Sequence, residues 1–155
     1  MRQPVLSASL ALAVLLTGCD DPGKPPLALA GGGFIFNYRI AEVFYGVSLK
    51  PQRRIAAGAV LEGEFENPAG GPNLIVRETL GVPKLVYALQ SPPLKGVTAG
   101  RPYRVEVRLI EGGKITGRVE RTFTSDLNQD MLPDAPLTIG PGYTPNPDLS
   151  TKPTP

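Results

Sequence analysis

Few residues of this chain could do chemistry, and their types narrow that chemistry at once. Its 155 residues include no histidine and a single cysteine, Cys19. Ser-His-Asp and Cys-His catalysis are excluded, as are the usual zinc and copper ligand sets. Carboxylates are left. Glu62, Glu64 and Glu66 in "LEGEFEN" alternate along one segment. On a strand such residues share a face, roughly 6.5–7 Å apart per step, a separation that suits a pair of acid and base carboxylates. The plainer reading is a solvated strand face opposite Leu61 and Phe65. With no aromatic platform for a sugar that reading is the one expected, and no catalytic residue is assigned. Phosphate loops and dinucleotide fingerprints are absent from the sequence.

A second acidic cluster stands in "DLNQDMLPD", where Asp126, Asn128, Asp130 and Asp134 fall at positions one, three, five and nine. The spacing resembles the oxygen-ligand loops of EF-hand-like and thrombospondin-type calcium repeats, which supply about six to eight oxygens. It departs from them at Met131, where a glycine would permit the sharp turn, at Pro133, and in lacking a closing glutamate. The expectation is an acidic turn leading off the last strand, with no metal or other cofactor bound.

Cys19 is the third candidate. Upstream of it, Arg2 gives a positive start and Val5 to Leu16 form an apolar run. That run is about a dozen residues, the length of a signal-peptide core and short of the roughly 20 residues that span a bilayer. The run ends in Leu16-Thr17-Gly18-Cys19, which resembles the lipobox of bacterial lipoproteins. The resemblance implies cleavage before Cys19, a diacylglycerol on its thiol and an acyl group on its new amino terminus. A lone cysteine forms no internal disulfide, and a lipid anchor accounts for its position. Membrane lipid is thus one expected partner. Asp20 and Asp21 follow, and aspartate after the cysteine resembles the enterobacterial signal for retention at the inner membrane. The periplasmic face of that membrane is the expected location, with the outer membrane as the alternative.

The elements that must carry these residues divide the chain into four. Residues 1–18 form the signal peptide, and 19–33 the lipidated cysteine with a flexible Pro- and Gly-rich tether. Residues 34–125 form a β-domain, and 126–155 a Pro-rich, extended or disordered tail. Within the β-domain, alternation and turn residues predict strands over Ile35–Val47, Val60–Glu66, Leu74–Thr79, Leu85–Leu89, Tyr103–Ile110 and Ile115–Thr124. The first of these slips near Ala41-Glu42, which marks a bulge or a break between two strands. Nothing after the signal has sustained helical periodicity. The fold class is therefore all-β, an antiparallel sandwich of about six or seven strands.

In the last hairpin, matching apolar faces sets Leu109 against Ile115, Val107 against Gly117 and Val105 against Val119. That register leaves a three-residue loop, Glu111-Gly112-Gly113, and places Glu106 opposite Arg118 and Arg104 opposite Glu120. Just upstream, "VTAGRPYRVEV" offers Val97, Gly100 and Tyr103. It resembles the tyrosine corner of fibronectin type III and immunoglobulin-like sandwiches. The resemblance implies that the Tyr103 hydroxyl bonds to upstream backbone and pins a connection between sheets.

Net charge is only +2, so no nucleic-acid footprint exists. Arg53-Arg54 reads as a solvated loop tip. The functional expectation is a lipid-anchored, non-enzymatic binding or assembly module for an envelope protein, its strand edges suited to docking. The rival is a calcium- or carbohydrate-binding accessory lipoprotein, which the scarcity of aromatic residues disfavours.

Overall fold

Tyr38 to Ala41 break the first predicted strand in two. Asn37 accepts the Arg39 N–H on its side chain (3.2 Å), and Ala41 takes a left-handed φ of 55°, so the chain reverses. In the computed structural model, which describes residues 23–149, this turn joins β1 (Leu27–Asn37) to β2 (Glu42–Pro51). Five strands follow: β3 (Val60–Phe65), β4 (Leu74–Thr79), β5 (Tyr87–Gln90), β6 (Pro102–Glu111) and β7 (Lys114–Thr124). They form two antiparallel sheets, ordered β1-β2-β5 and β4-β3-β6-β7. The sheets pack as the all-β, immunoglobulin-like sandwich expected from the sequence.

The core is the inward half of each alternation. Val43, Tyr45, Val47 and Leu49 of β2 face Leu61 and Phe65 of β3 and Tyr103, Val105, Val107 and Leu109 of β6, all buried. An aromatic group joins the two layers. Phe34 stacks on Tyr45 (5.0 Å between centroids), and Phe65 and Tyr103 meet this pair edge-on. The Tyr45 hydroxyl crosses from β2 to the other sheet and donates to the carbonyls of Glu66 (3.0 Å) and Arg104 (2.9 Å). Burial, with the nearby Glu66 charge, pushes this phenol above its ordinary pKa, so it stays a donor at every physiological pH.

Four sequence expectations are corrected. The glycines of 31–33 are not tether: β1 begins at Leu27 and runs through them. The middle one, Gly32, is needed because β7 comes close. A Cβ on Gly32 would lie 2.4 Å from the Phe123 ring and 2.6 Å from the Gly46 carbonyl oxygen.

The β6–β7 register is two residues from the one expected, with Val107 opposite Val119 and Leu109 opposite Gly117. Gly112 and Gly113 both adopt left-handed φ (56° and 76°), which closes a two-residue turn. Such a turn alone would invert every side chain of β7. A register shift after Leu109 absorbs one residue and restores the apolar face. The expected ion pairs Arg104–Glu120 (2.7 Å) and Arg118–Glu106 (3.1 Å) both form, but diagonally, so they do not report the register.

Residues 126–149 are folded rather than a loose tail. A 3-10 turn (Gln129–Met131) leads to a small hairpin of β8 (Thr138–Ile139) and β9 (Thr144–Pro145). Gln129 straps this segment to the sandwich through Val97 and Leu94. Finally, β5 starts two residues later than predicted, leaving Leu85 and Val86 in a loop.

Two stability measurements follow. Tyr45→Phe removes the single hydroxyl proton that the Glu66 and Arg104 carbonyls share, the latter keeping the Glu66 N–H, and should cost about 1–2 kcal/mol in urea denaturation. Gly32→Val should cost about 1–3 kcal/mol by overpacking against Phe123 and the β2 backbone. A wild-type midpoint for either variant would contradict the packing described.

Candidate functional site

The three alternating glutamates lie at the outer face of the four-stranded sheet and its end, and arginines occupy them. Arg108 of β6 donates to Glu62 (2.7 Å), Glu64 and Glu106 (2.8 Å). Arg77 of β4 adds a second bond to Glu62 (2.6 Å), and Asn73 one to Glu64 (2.8 Å). Glu106, itself buried, also meets Arg104 (2.9 Å) and Arg118. Glu66 accepts from Arg101 and from the Arg104 backbone N–H, both at 2.9 Å.

The bonds from Arg108 and Arg77 hold Glu62 below the usual carboxylate range, and those from Asn73 and Arg108 do the same for Glu64. A general acid needs the opposite shift, toward neutrality. This constellation is a lattice of ion pairs across β4, β3, β6 and β7, and each of its carboxylates is held by an arginine.

Val97, Gly100 and Tyr103 lie together where the chain enters β6. Tyr103 is fully buried and its hydroxyl accepts the Thr98 N–H (2.8 Å). Val97 is buried too, and Gly100 takes a φ of 74° while its N–H donates to Ser125. Arg101 covers the Tyr103 ring at 4.9 Å.

In the acidic turn, Asn128 spends its side-chain oxygen on the Ala99 N–H (2.8 Å). Among the described residues, no three acidic side chains, those of Asp126, Asp130 and Asp134 included, are grouped so as to hold a metal ion. The residue of this stretch that does the holding is Gln129, which the acidic spacing concealed. Cys19, with Asp20 and Asp21, lies outside the described residues.

Two hollows remain. One is a trough of about 280 Å³ on the outer face of the three-stranded sheet, floored by Gly33, Gly46 and Ala88 and walled by Ile35, Ser48 and Gln90. Pleat alternation sends the side chains of Tyr45 and Val47 inward, so glycine at position 46 leaves the outer face open. Ile35 is half exposed beside it. Strand β5, at the edge of this sheet, runs along the trough.

The other hollow, about 390 Å³, lies at the end of the sandwich where the chain enters β1. Arg53, Arg54, Pro83 and Glu111 line it. Arg53 grips Glu111 with two bonds, joining the β2–β3 loop to the β6–β7 turn. The Arg53 guanidinium, helped by Thr116 and the Ala56 N–H, lowers the Glu111 carboxyl from 4.5 to about 2. Arg53 is thus a structural clamp, while its neighbour Arg54 is exposed.

No family model matches the chain, and no curated protein matches it. Among solved structures, it is similar to a putative beta-galactosidase from Bacteroides fragilis at 17% identity and a TM-score of 0.39. That alignment covers 68% of this chain and 16% of the other.

The Arg53–Glu111 clamp has a defined pH signature. Because folding lowers the Glu111 pKa, its contribution is complete above about pH 4.5 and fades as pH falls toward 2. Glu111→Gln should cost about 1–2 kcal/mol at neutral pH. The gap between variant and wild type should narrow steadily below pH 4.5 in denaturation curves. A gap unchanged at low pH would show that the carboxylate charge contributes nothing.

Proposed function

We propose that this protein is a lipid-anchored, non-enzymatic binding module of the bacterial cell envelope, tethered through Cys19 and docking an extended segment of an envelope protein on its three-stranded sheet. The trough carries this reading. Its floor of glycine and alanine lets a partner backbone approach the sheet closely, and the half-exposed Ile35 offers apolar area to cover. The β5 edge beside it supplies the unpaired backbone groups that strand addition uses.

The non-enzymatic part is supported by the lattice. Glu62, Glu64 and Glu106 are all held by arginines, and the sequence has no histidine to act as a base. The anchoring part is supported by the Leu16-Thr17-Gly18-Cys19 run, and Asp20 favours the periplasmic face of the inner membrane. A calcium-dependent activity gains no support from a turn whose Asn128 already bonds Ala99.

Each half is testable alone. Cys19→Ser should abolish acylation and leave an unprocessed precursor by mass spectrometry; an unmodified mature thiol in the wild type would refute the anchor. A photo-crosslinker at Ile35 should capture one defined envelope protein in intact cells, and Ala88→Arg, which fills the trough from an exposed position, should abolish capture without changing stability. Capture that survives Ala88→Arg places the docking surface elsewhere.

A further inference from the structure

The most exposed apolar side chains of the described residues are Leu85 (90% exposed) and Val82 (79%), with Val86 at 46%. All three belong to one loop, 80–86, between β4 and β5. The loop is not loose at its base. Leu80 donates to the Ala59 carbonyl (2.7 Å), and the Lys84 N–H bonds the buried Tyr87 hydroxyl (3.3 Å). The fold therefore presents Val82-Pro83-Lys84-Leu85-Val86 outward on a fixed footing.

Strand register says which end of the sandwich this is. Leu27 pairs with Pro51, and Leu49 with Tyr87, so the start of β1 and the loop before β5 share one end. Pro83 and Arg54 line the same hollow, which brings the β2–β3 loop alongside. The chain enters at this end too. Pro26 is buried, its carbonyl accepts the Gln52 N–H (2.9 Å), and its ring lies where a side chain on Gly117 would be. Cys19 is seven residues upstream. Even fully extended, those residues reach about 25 Å.

Charge at this end is basic. Lys50, Arg54 and Lys114 are exposed. Of the described residues here, the acids Glu111 and Glu78 are matched, by Arg53 and by Lys84 (3.4 Å). The far end carries the folded 126–149 segment, anchored to Arg39 and Val97.

Resting on the lipid-anchor reading, we infer that loop 80–86 is a second membrane contact, its Val82–Val86 tip seated in the headgroup layer of the bilayer that holds Cys19. Apolar side chains enter the interface while Lys84 and the surrounding basic residues lie level with lipid phosphates, the arrangement that favours anionic surfaces. A short tether confines the tip near the bilayer, so a modest contact suffices to orient the domain.

The chain has no tryptophan, so Leu85→Trp introduces a unique reporter at an exposed position. Full-length protein, acylated in cells, would be reconstituted into vesicles of phosphatidylglycerol and phosphatidylcholine containing lipid brominated high on the acyl chain. Leu85→Trp should show blue-shifted emission and several-fold stronger quenching than Ile139→Trp, a control at the far end. Quenching should weaken in vesicles of phosphatidylcholine alone. An unquenched Leu85→Trp on protein whose Cys19 carries lipid overturns this inference and leaves the anchor standing. Absence of lipid on Cys19 overturns both. A tryptophan unquenched by lipid, together with a photo-crosslinker at position 85 that captures a protein in intact envelopes, assigns the tip to a protein partner instead.

Discussion

The Tyr45 hydroxyl is the fixed point of the sandwich. A buried phenol is tolerated only when its hydroxyl is bonded, and this one finds its acceptors across the interior, at the last turn of backbone leaving β3 and the first residues of β6. The carbonyls of Glu66 and Arg104 are therefore held at one distance from β2. Those two residues are also paired to each other, through the Glu66 N–H and the Arg104 carbonyl (2.9 Å) and through the Glu66 carboxylate and the Arg104 N–H. Their side chains then open the outer lattice, Arg104 toward Glu106 and Glu120. One residue pair thus serves the inner tie and the outer one.

That lattice has a functional consequence of its own. Arg77, Arg104, Arg108 and Arg118 are matched against Glu62, Glu64, Glu106 and Glu120. A balanced face has little long-range field and little unsatisfied polarity to offer a partner. Stability from such pairs is modest where they are exposed; Glu64 faces Glu106, Glu106 faces Glu120 and Arg108 faces Arg118 across the strands, and the diagonal arginine–glutamate bonds offset the like charges that this register sets opposite one another. The other sheet carries Gly33 and Gly46 on its outer face, and with them the surface left open for contact.

Much of this was legible in the sequence, for reasons that are local. Alternation marked six strand segments, and the slip at Ala41-Glu42 marked the place where the first of them divides in two. What was hidden depends on tertiary approach. The run Gly31-Gly32-Gly33 has the composition of a linker, and it is its pairing with Gly46, Val47 and Ser48 of β2, with Phe123 close against Gly32, that makes it strand. Two glycines in "EGGK" fit a two-residue or a three-residue loop, and the choice turns on an offset farther along the hairpin that face-matching alone does not reveal. Prolines after Asp126 signalled the absence of long strands correctly, but Gln129 bonds groups more than 30 residues away. Tyr45 looked like any inward strand residue. Leu85 and Val86 were assigned to a strand because apolar residues before Tyr87 match its pattern, and their exposure is what makes them informative.

The two ends of the sandwich are consequently unlike. One gathers the chain entry, the Arg53–Glu111 clamp and the apolar tip; the other is covered by the returning 126–149 segment, where Arg39 lies 5.4 Å over the Tyr143 ring. Strands run between these ends, so the trough on the β1-β2-β5 face lies to the side of both. On the anchoring proposed here, a domain held by its tether alone would tumble and turn that face toward the bilayer part of the time. A second contact at loop 80–86 removes that freedom. On that proposal, two points at one end held to lipid would stand the strand axes away from the membrane and turn the trough sideways at a fixed height. The entropy of orienting the domain is then lost before a partner arrives, which is the condition under which a shallow surface binds best.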